Sequence, residues 1–214
     1  VLGSRGLGDV YKRQLQVRNL QIFWSGQAAA LIGMWLQVTA MGILVYDISG
    51  GSATAVGFLA ALNALPFFLG GMLLAGLGDR FDRRKLLIAV QCVQWLVAVA
   101  LFLLTMLDML QLWHLYAAGL VMGVNQTVGF PTQQAFVGDL IPRRQLQEAV
   151  GMYSLVFNTC RAVGPALAGY IIAEWGAGTA FGGNVVASLP LIGCLVALKG
   201  RVADTVSYTH LRAH

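Results

Sequence analysis

LLIAVQCVQWLVAVALFLLTML, residues 86–107, runs for 22 positions without a charge, between Arg83-Arg84-Lys85 on one side and Asp108 on the other. A helix rises ~1.5 Å per residue, so about 20 mostly apolar residues cross the hydrocarbon core of a bilayer. An apolar run of that length closed by charges at both ends reads as a transmembrane helix. Five more runs of the same kind lie at about 23–46, 54–77, 112–136, 149–173 and 180–198. The strands of a membrane barrel would instead alternate in polarity over ~10 residues, and no such segment is present. The expected fold is therefore an all-α integral membrane bundle of six transmembrane helices, joined by short polar or glycine-rich links.

Composition agrees. Only 11% of the 214 residues are charged and 57% are hydrophobic, against ~25% charged in an ordinary soluble domain. With mean hydropathy at +0.71, the chain could not cover its own surface with polar groups in water. A soluble globular enzyme and a disordered chain are both excluded.

The net charge of +5 and pI of about 9.4 would suggest an acidic partner, but the excess sits largely in two tails. Residues 1–14 (VLGSRGLGDVYKRQ) and 206–214 (VSYTHLRAH) break the apolar character of everything between them. Asp9–Gln14 can be written GAT-GTG-TAT-AAG-AGA-CAG, and the reverse complement of that DNA encodes Val206–His210 in another frame. Both tails resemble translated sequencing adapter and are set aside from fold reasoning. Arg5, Lys12, Arg13, Arg212 and Asp9 go with them, leaving ten basic against eight acidic residues. Nucleic acid is not expected as a partner. The reading frame is expected to be cut at both ends, with 15–205 a piece of a longer protein.

Orientation follows from the cations. Arg18 precedes the first run, Arg80, Arg83, Arg84 and Lys85 fill the link between the second and third, Arg143 and Arg144 the link between the fourth and fifth, and Lys199 and Arg201 follow the sixth. The alternate links hold only acids: Asp47, Asp108 and Glu174. By the positive-inside rule both ends of 15–205 are cytoplasmic.

The link Ala75-Gly-Leu-Gly-Asp-Arg-Phe-Asp-Arg-Arg-Lys85 holds more than a positive-inside loop needs, because it adds glycines and Asp79 to the cations. It resembles the motif G-x-L-A-D-R-x-G-R-R between helices two and three of the major facilitator superfamily. Leu77, Asp79, Arg80, Arg83 and Arg84 match, while Ala75, Gly78 and Asp82 depart from it. The resemblance implies a gating loop of Asp79, Arg80, Arg83 and Arg84. There the carboxylate faces the positive N-terminus of a helix from the other half, an interaction of roughly 0.3–1 kcal/mol when exposed.

The fifth run resembles the exporter-associated pattern G-x8-G-x3-G-P-x2-G-G of that superfamily. Gly151, Gly164, Pro165 and Gly169 match, with Cys160 and Ala168 as small substitutes. A Gly-Pro pair inside a span frees a backbone hydrogen bond and permits a bend. Segments such as Leu31–Gln37, Ser49–Ala53, Pro131–Phe136 and Phe157–Arg161 are similar to the enterobactin-exporter-like, transmembrane secretion effector branch. That resemblance implies a proton-coupled efflux transporter of the bacterial inner membrane, moving siderophores, drugs or similar small molecules. It further implies that 15–205 is the N-terminal half, two inverted three-helix repeats, of a protein of about twelve helices. The partners implied are the bilayer, a small-molecule substrate and the missing C-terminal six-helix half.

Arg161 is the only charge near the middle of a span. A charge there costs about 2.5–3.5 kcal/mol on insertion scales, so it should face the bundle interior or water. Asn158 and Ser154 share its side of the helix at helical spacing. Two readings stand for this stripe: an anchor for an anionic or hydroxylated group, or a structural Arg bonded to nearby carbonyls. Gln37, Asn63, Asn125 and Gln126, with Gln133 and Gln134, are polar residues inside apolar runs. Each can bond between helices, and as a set they could line a central cavity, with Arg161, Asn158, Gln37, Asn63, Asn125 and Gln126 as the cavity candidates. No carboxylate lies deep in any span, so a coupling acid is not identifiable here.

For catalysis the inventory is poor. His114 is the one histidine outside the tails, and Cys92, Cys160 and Cys194 lie in apolar runs without metal-type spacing. No catalytic residue, metal site or cofactor is expected. Two rival readings remain: the transporter-like module of a larger lipid-handling protein, and a six-helix scaffold or homodimer.

Overall fold

A computed structural model describes the backbone of residues 3–75, 81–140 and 146–197, with side chains at 24–70, 81–136, 151 and 153–196. The described residues form six long helices: α1 (Gly3–Ile48), α2 (Ala53–Ala75), α3 (Arg83–Met106), α4 (Leu112–Leu140), α5 (Leu146–Trp175) and α6 (Ala177–Ala197). Asp79 and Arg80 of the expected gating loop fall outside the described residues, as do both tail segments apart from the helical backbone of α1.

The links are built by local chemistry. Between α1 and α2, Gly50 and Gly51 take φ of +70° and +87°, a left-handed conformation that side chains resist. This lets the Gly51 N–H reach back to the Tyr46 carbonyl at 2.8 Å. The Ser52 hydroxyl then accepts from the Ala55 N–H at 3.3 Å, starting α2. Asp82, which stands where the superfamily motif has glycine, is the N-cap of α3: its Oδ1 accepts from the Lys85 N–H at 3.0 Å. A carboxylate at that position satisfies an orphan donor and complements the helix dipole. At the start of α4, His114 Nδ1 accepts from the Gln111 N–H at 3.0 Å, a structural use of the histidine.

Among the described residues, five helical segments are long and apolar enough to cross a membrane: Trp24–Ile48, Ala53–Gly70, Arg83–Met106, Tyr153–Trp175 and Ala177–Val196. The fold is thus all-α with five candidate spans rather than the six expected. α4 is long enough, but Asn125, Gln126, Thr127, Thr132, Gln133 and Gln134 dilute its apolar run. Those polar groups are accommodated by protein rather than lipid. Thr127 and Thr132 are buried and return their hydroxyls to the carbonyls of Gly123 and Val128 at 2.8 and 2.7 Å.

α1 is central, packing mainly against α6 and then α5; α2 packs mainly on α4, and α3 on α6 and α4. Two apolar clusters hold the bundle at different levels. One joins Leu36, Ala40, Met41 and Val45 of α1 to Leu101, Leu115, Met122 and Phe181. The other joins Trp24 to Leu87, Phe136, Leu191 and Leu195. Glycines bring the helices close between these levels. At Gly33 of α1 an added Cβ would lie 2.5 Å from Asn184 Oδ1 of α6, and at Gly123 of α4 it would strike the Asn63 carbonyl oxygen of α2. With little hydrophobic drive for helix association inside lipid, such close backbone approach supplies the packing.

Candidate functional site

Between the two apolar clusters lies a cavity of about 490 Å³, walled by all six helices. Its level is set by the chain itself. α3 contributes residues from Val90 to Gln94 and α4 from Gly123 to Gln133, each between that helix's contacts to the two clusters, while the α1 stretch from Gln27 to Val38 reaches into both. One side is aromatic. Trp35 and Phe157 rings lie 6.4 Å apart, Phe157 and Tyr153 stack at 6.1 Å, and Tyr153 meets Phe130 at 6.3 Å. The polar part is made of amides: Gln27, Asn63, Gln91, Gln94, Asn125, Gln126 and Gln133. Among the described residues, no Lys, Arg, His, Asp or Glu lines it.

Of the residues singled out by sequence, Asn63, Asn125 and Gln126 come together here. Asn125 Nδ2 donates to the Val90 carbonyl at 2.9 Å and to Gln94 Oε1 at 3.2 Å, tying α4 to α3. Asn63 Nδ2 donates to the Gly119 carbonyl at 3.3 Å. Gln37 is fully buried and does not line the cavity. It accepts from Asn184 Nδ2 at 2.6 Å and points its own Nε2 at Met122 Sδ, 3.1 Å away. Its role in this structure is to join α1, α4 and α6. Arg161 and Asn158 are exposed on α5 and do not line the cavity either. Asn158 Nδ2 donates to the Ser154 carbonyl at 2.7 Å. Arg161 lies one helical turn beyond the cavity-lining Phe157, on a face of α5 that no described residue covers.

The helix-five pattern divides into two kinds of glycine. An added Cβ at Gly164 would lie 2.5 Å from Trp35 Cβ, so this glycine seats α5 on α1 beside the aromatic wall. Gly151 and Gly169 have nothing within 4 Å, and Pro165 sits inside an unbroken helix. In the gating loop, Arg84 donates from Nε to the Leu195 carbonyl at 2.8 Å and from Nη2 to the Val196 carbonyl at 3.1 Å. A guanidinium there ties the start of α3 to the last described turn of α6, and a cation near the C-terminal end of a helix complements its dipole.

Sequence reading missed the aromatic wall and Gln27, Gln91 and Gln94. The amides carried a usable signal, being polar residues inside apolar runs as Asn63 and Asn125 are. The aromatics carried none, because an apolar ring in a span is equally at home facing lipid.

The family model for transmembrane secretion effectors matches residues 14–209. The chain belongs to this family, within the major facilitator superfamily. Relatives of this secretion-effector chain include a staphyloferrin A transporter of Staphylococcus aureus, 26% identical over 74% of this chain and 40% of the relative. A macrolide efflux protein A of Streptococcus pyogenes is 23% identical over 81% of this chain and 41% of the relative. An enterobactin exporter of Citrobacter koseri is 24% identical over 84% of this chain and 46% of the relative. The chain therefore spans less than half the length of these curated relatives, which are transporters and not enzymes. No solved structure matches the chain significantly. As a major facilitator, it is a multi-pass membrane protein of a transporter family.

Proposed function

We propose that the chain supplies the N-terminal six-helix half of a proton-coupled exporter of a siderophore, drug or similar small molecule, working by alternating access in the bacterial inner membrane. The observation that carries this reading is the cavity between the two apolar clusters, walled by rings and amides in a chain of this family. Two of the relatives are named for siderophores and one for macrolides.

The helix packing supports a division into two three-helix repeats. Exchange α1 with α4, α2 with α5 and α3 with α6, and the main contacts map onto one another. α1–α5 becomes α4–α2, α1–α6 becomes α4–α3, and α3–α6 returns to itself. Inverted repeats of this kind put the substrate near the midplane. Asp79, Arg80 and Arg83 form the gate against the missing half on the cytoplasmic side, where both ends of 15–205 lie. No carboxylate is among the described residues of the cavity wall, and in this reading the coupling acid belongs to the other half.

The test is to amplify outward from within 15–205 on source DNA, then express the complete gene in an efflux-deficient bacterium and follow accumulation of siderophore and macrolide. Six further apolar spans and a substrate-dependent fall in accumulation are expected. A natural stop near Asp204, or a complete gene that changes the accumulation of no substrate, sinks the proposal.

A further inference from the structure

Most polar side chains inside this bundle have partners: Asn63, Asn125, Gln37, Asn184, Ser188, Thr127 and Thr132 all make hydrogen bonds. Three buried polar atoms do not. Among the described residues, Gln27 Oε1, Trp35 Nε1 and Gln133 Nε2 find no hydrogen-bond partner. All three residues line the one cavity, and Gln27 is only 4% exposed. A buried donor or acceptor left unpaired carries the full penalty of desolvation, so native structures rarely keep one without a use. The three stand on α1 and α4.

We infer that the cavity binds an uncharged aromatic molecule offering two hydrogen-bond acceptors and one donor, and discriminates against carboxylates and ammonium ions. This rests on the exporter reading above and names the substrate class for the same site. The acceptors meet Trp35 Nε1–H and Gln133 Nε2–H, and the donor meets Gln27 Oε1. The ring stacks against Phe157, Tyr153 and Phe130, whose spacings of 6.1 and 6.3 Å match those of interacting aromatic pairs. A carboxylate here would give up part of its hydration and find no cation among the described lining residues. On this chain's wall an ammonium would find no carboxylate among the described residues, and two of the three free groups are donors that repel it. The volume of about 490 Å³ suits a molecule of drug size.

Three matched probes test this: 2-naphthamide, 2-naphthoate and 2-naphthylmethylammonium, which share a ring and differ in charge. Binding of each to the full chain in lipid nanodiscs is measured by equilibrium dialysis. The amide is expected to bind at least about tenfold more tightly than either ion. Gln133→Leu and Trp35→Phe should each weaken amide binding about fivefold, the worth of one neutral hydrogen bond. Their melting temperatures should hold or rise, because neither substitution removes a partner from another group. Equal or tighter binding of 2-naphthoate overturns the inference, and its loss in Arg161→Ala would move recognition to an anion anchor on α5. Absence of amide binding, indifference to both substitutions, or a lowered melting temperature in both variants overturns it as well. The exporter reading stands or falls separately. Selective amide binding with no efflux by the complete transporter sinks only that reading, and efflux without amide selectivity sinks only this one.

Discussion

A Cβ added at Gly123 would meet the carbonyl oxygen of Asn63 and lie 2.9 Å from its carbonyl carbon and 3.1 Å from Pro66 Cδ. None of these is the free end of a flexible side chain, so α2 and α4 must part. Gly123→Ala is expected to destabilise the folded chain by about 1–3 kcal/mol, the usual size of overpacking, read as a lower melting temperature in detergent. Gly169→Ala, with open space at its Cβ position, should leave that temperature unchanged, although both residues sit in glycine-rich spans. The amides divide in the same way. Gln37→Leu strands the Asn184 amide that now donates to it at 2.6 Å and should cost about 1 kcal/mol of stability. Gln126→Leu, exposed on the cavity wall, should cost none. The same melting curves check both. Sequence marked Gln37 and Gln126 as one kind of residue, since each is a glutamine in an apolar run. What separates them is which way each points around its helix. Spans that are apolar on every side give no amphipathic stripe from which to read that direction.

The helices themselves were legible. Runs expected at 54–77, 86–107 and 180–198 overlap the described helices Ala53–Ala75, Arg83–Met106 and Ala177–Ala197, and the starts of α2 and α3 fall where the Gly50-Gly51 turn and the Asp82 cap interrupt the apolar run. The start of α3 shows how local that control is, with Asp82 capping it. The far-reaching bond at the same turn was not legible. Arg84 holds the final carbonyls of α6 from 111 residues away, while the sequence shows only one more cation in a basic link. Arg84→Ala should free those carbonyls, so amides in the last turn of α6 exchange hydrogen faster while mid-helix amides are unchanged. Arg84→Lys should restore only part of the protection, because an ammonium lacks the planar fork that serves two acceptors together. Hydrogen exchange read by mass spectrometry separates the three proteins.

At the scale of the molecule, sequence yielded the bundle and its superfamily but only part of the cavity. Asn63, Asn125 and Gln126 came together there, and Arg161 did not. That arginine stands exposed on α5 in a chain spanning less than half of its relatives' length. In the complete exporter proposed above, Arg161→Ala should leave substrate-dependent efflux and membrane expression unchanged, measured by transport and immunoblot together, because Arg161 lies off the cavity wall. Asp79→Asn should slow turnover more than it weakens substrate binding, seen by comparing efflux rate with equilibrium affinity. Long-range closure also has a consequence in time. The Gln37–Asn184 bond joins residues 147 apart in sequence. A ribosome adding ~5–20 residues per second needs roughly 7–30 s to travel that far. Through that interval α1 is already made while its chief packing partner, α6, is not. The Gln37 amide must then be sheltered by the insertion machinery or by passing contacts with α2 to α5. Newly made chains are therefore most exposed to quality-control proteases just before the sixth helix arrives.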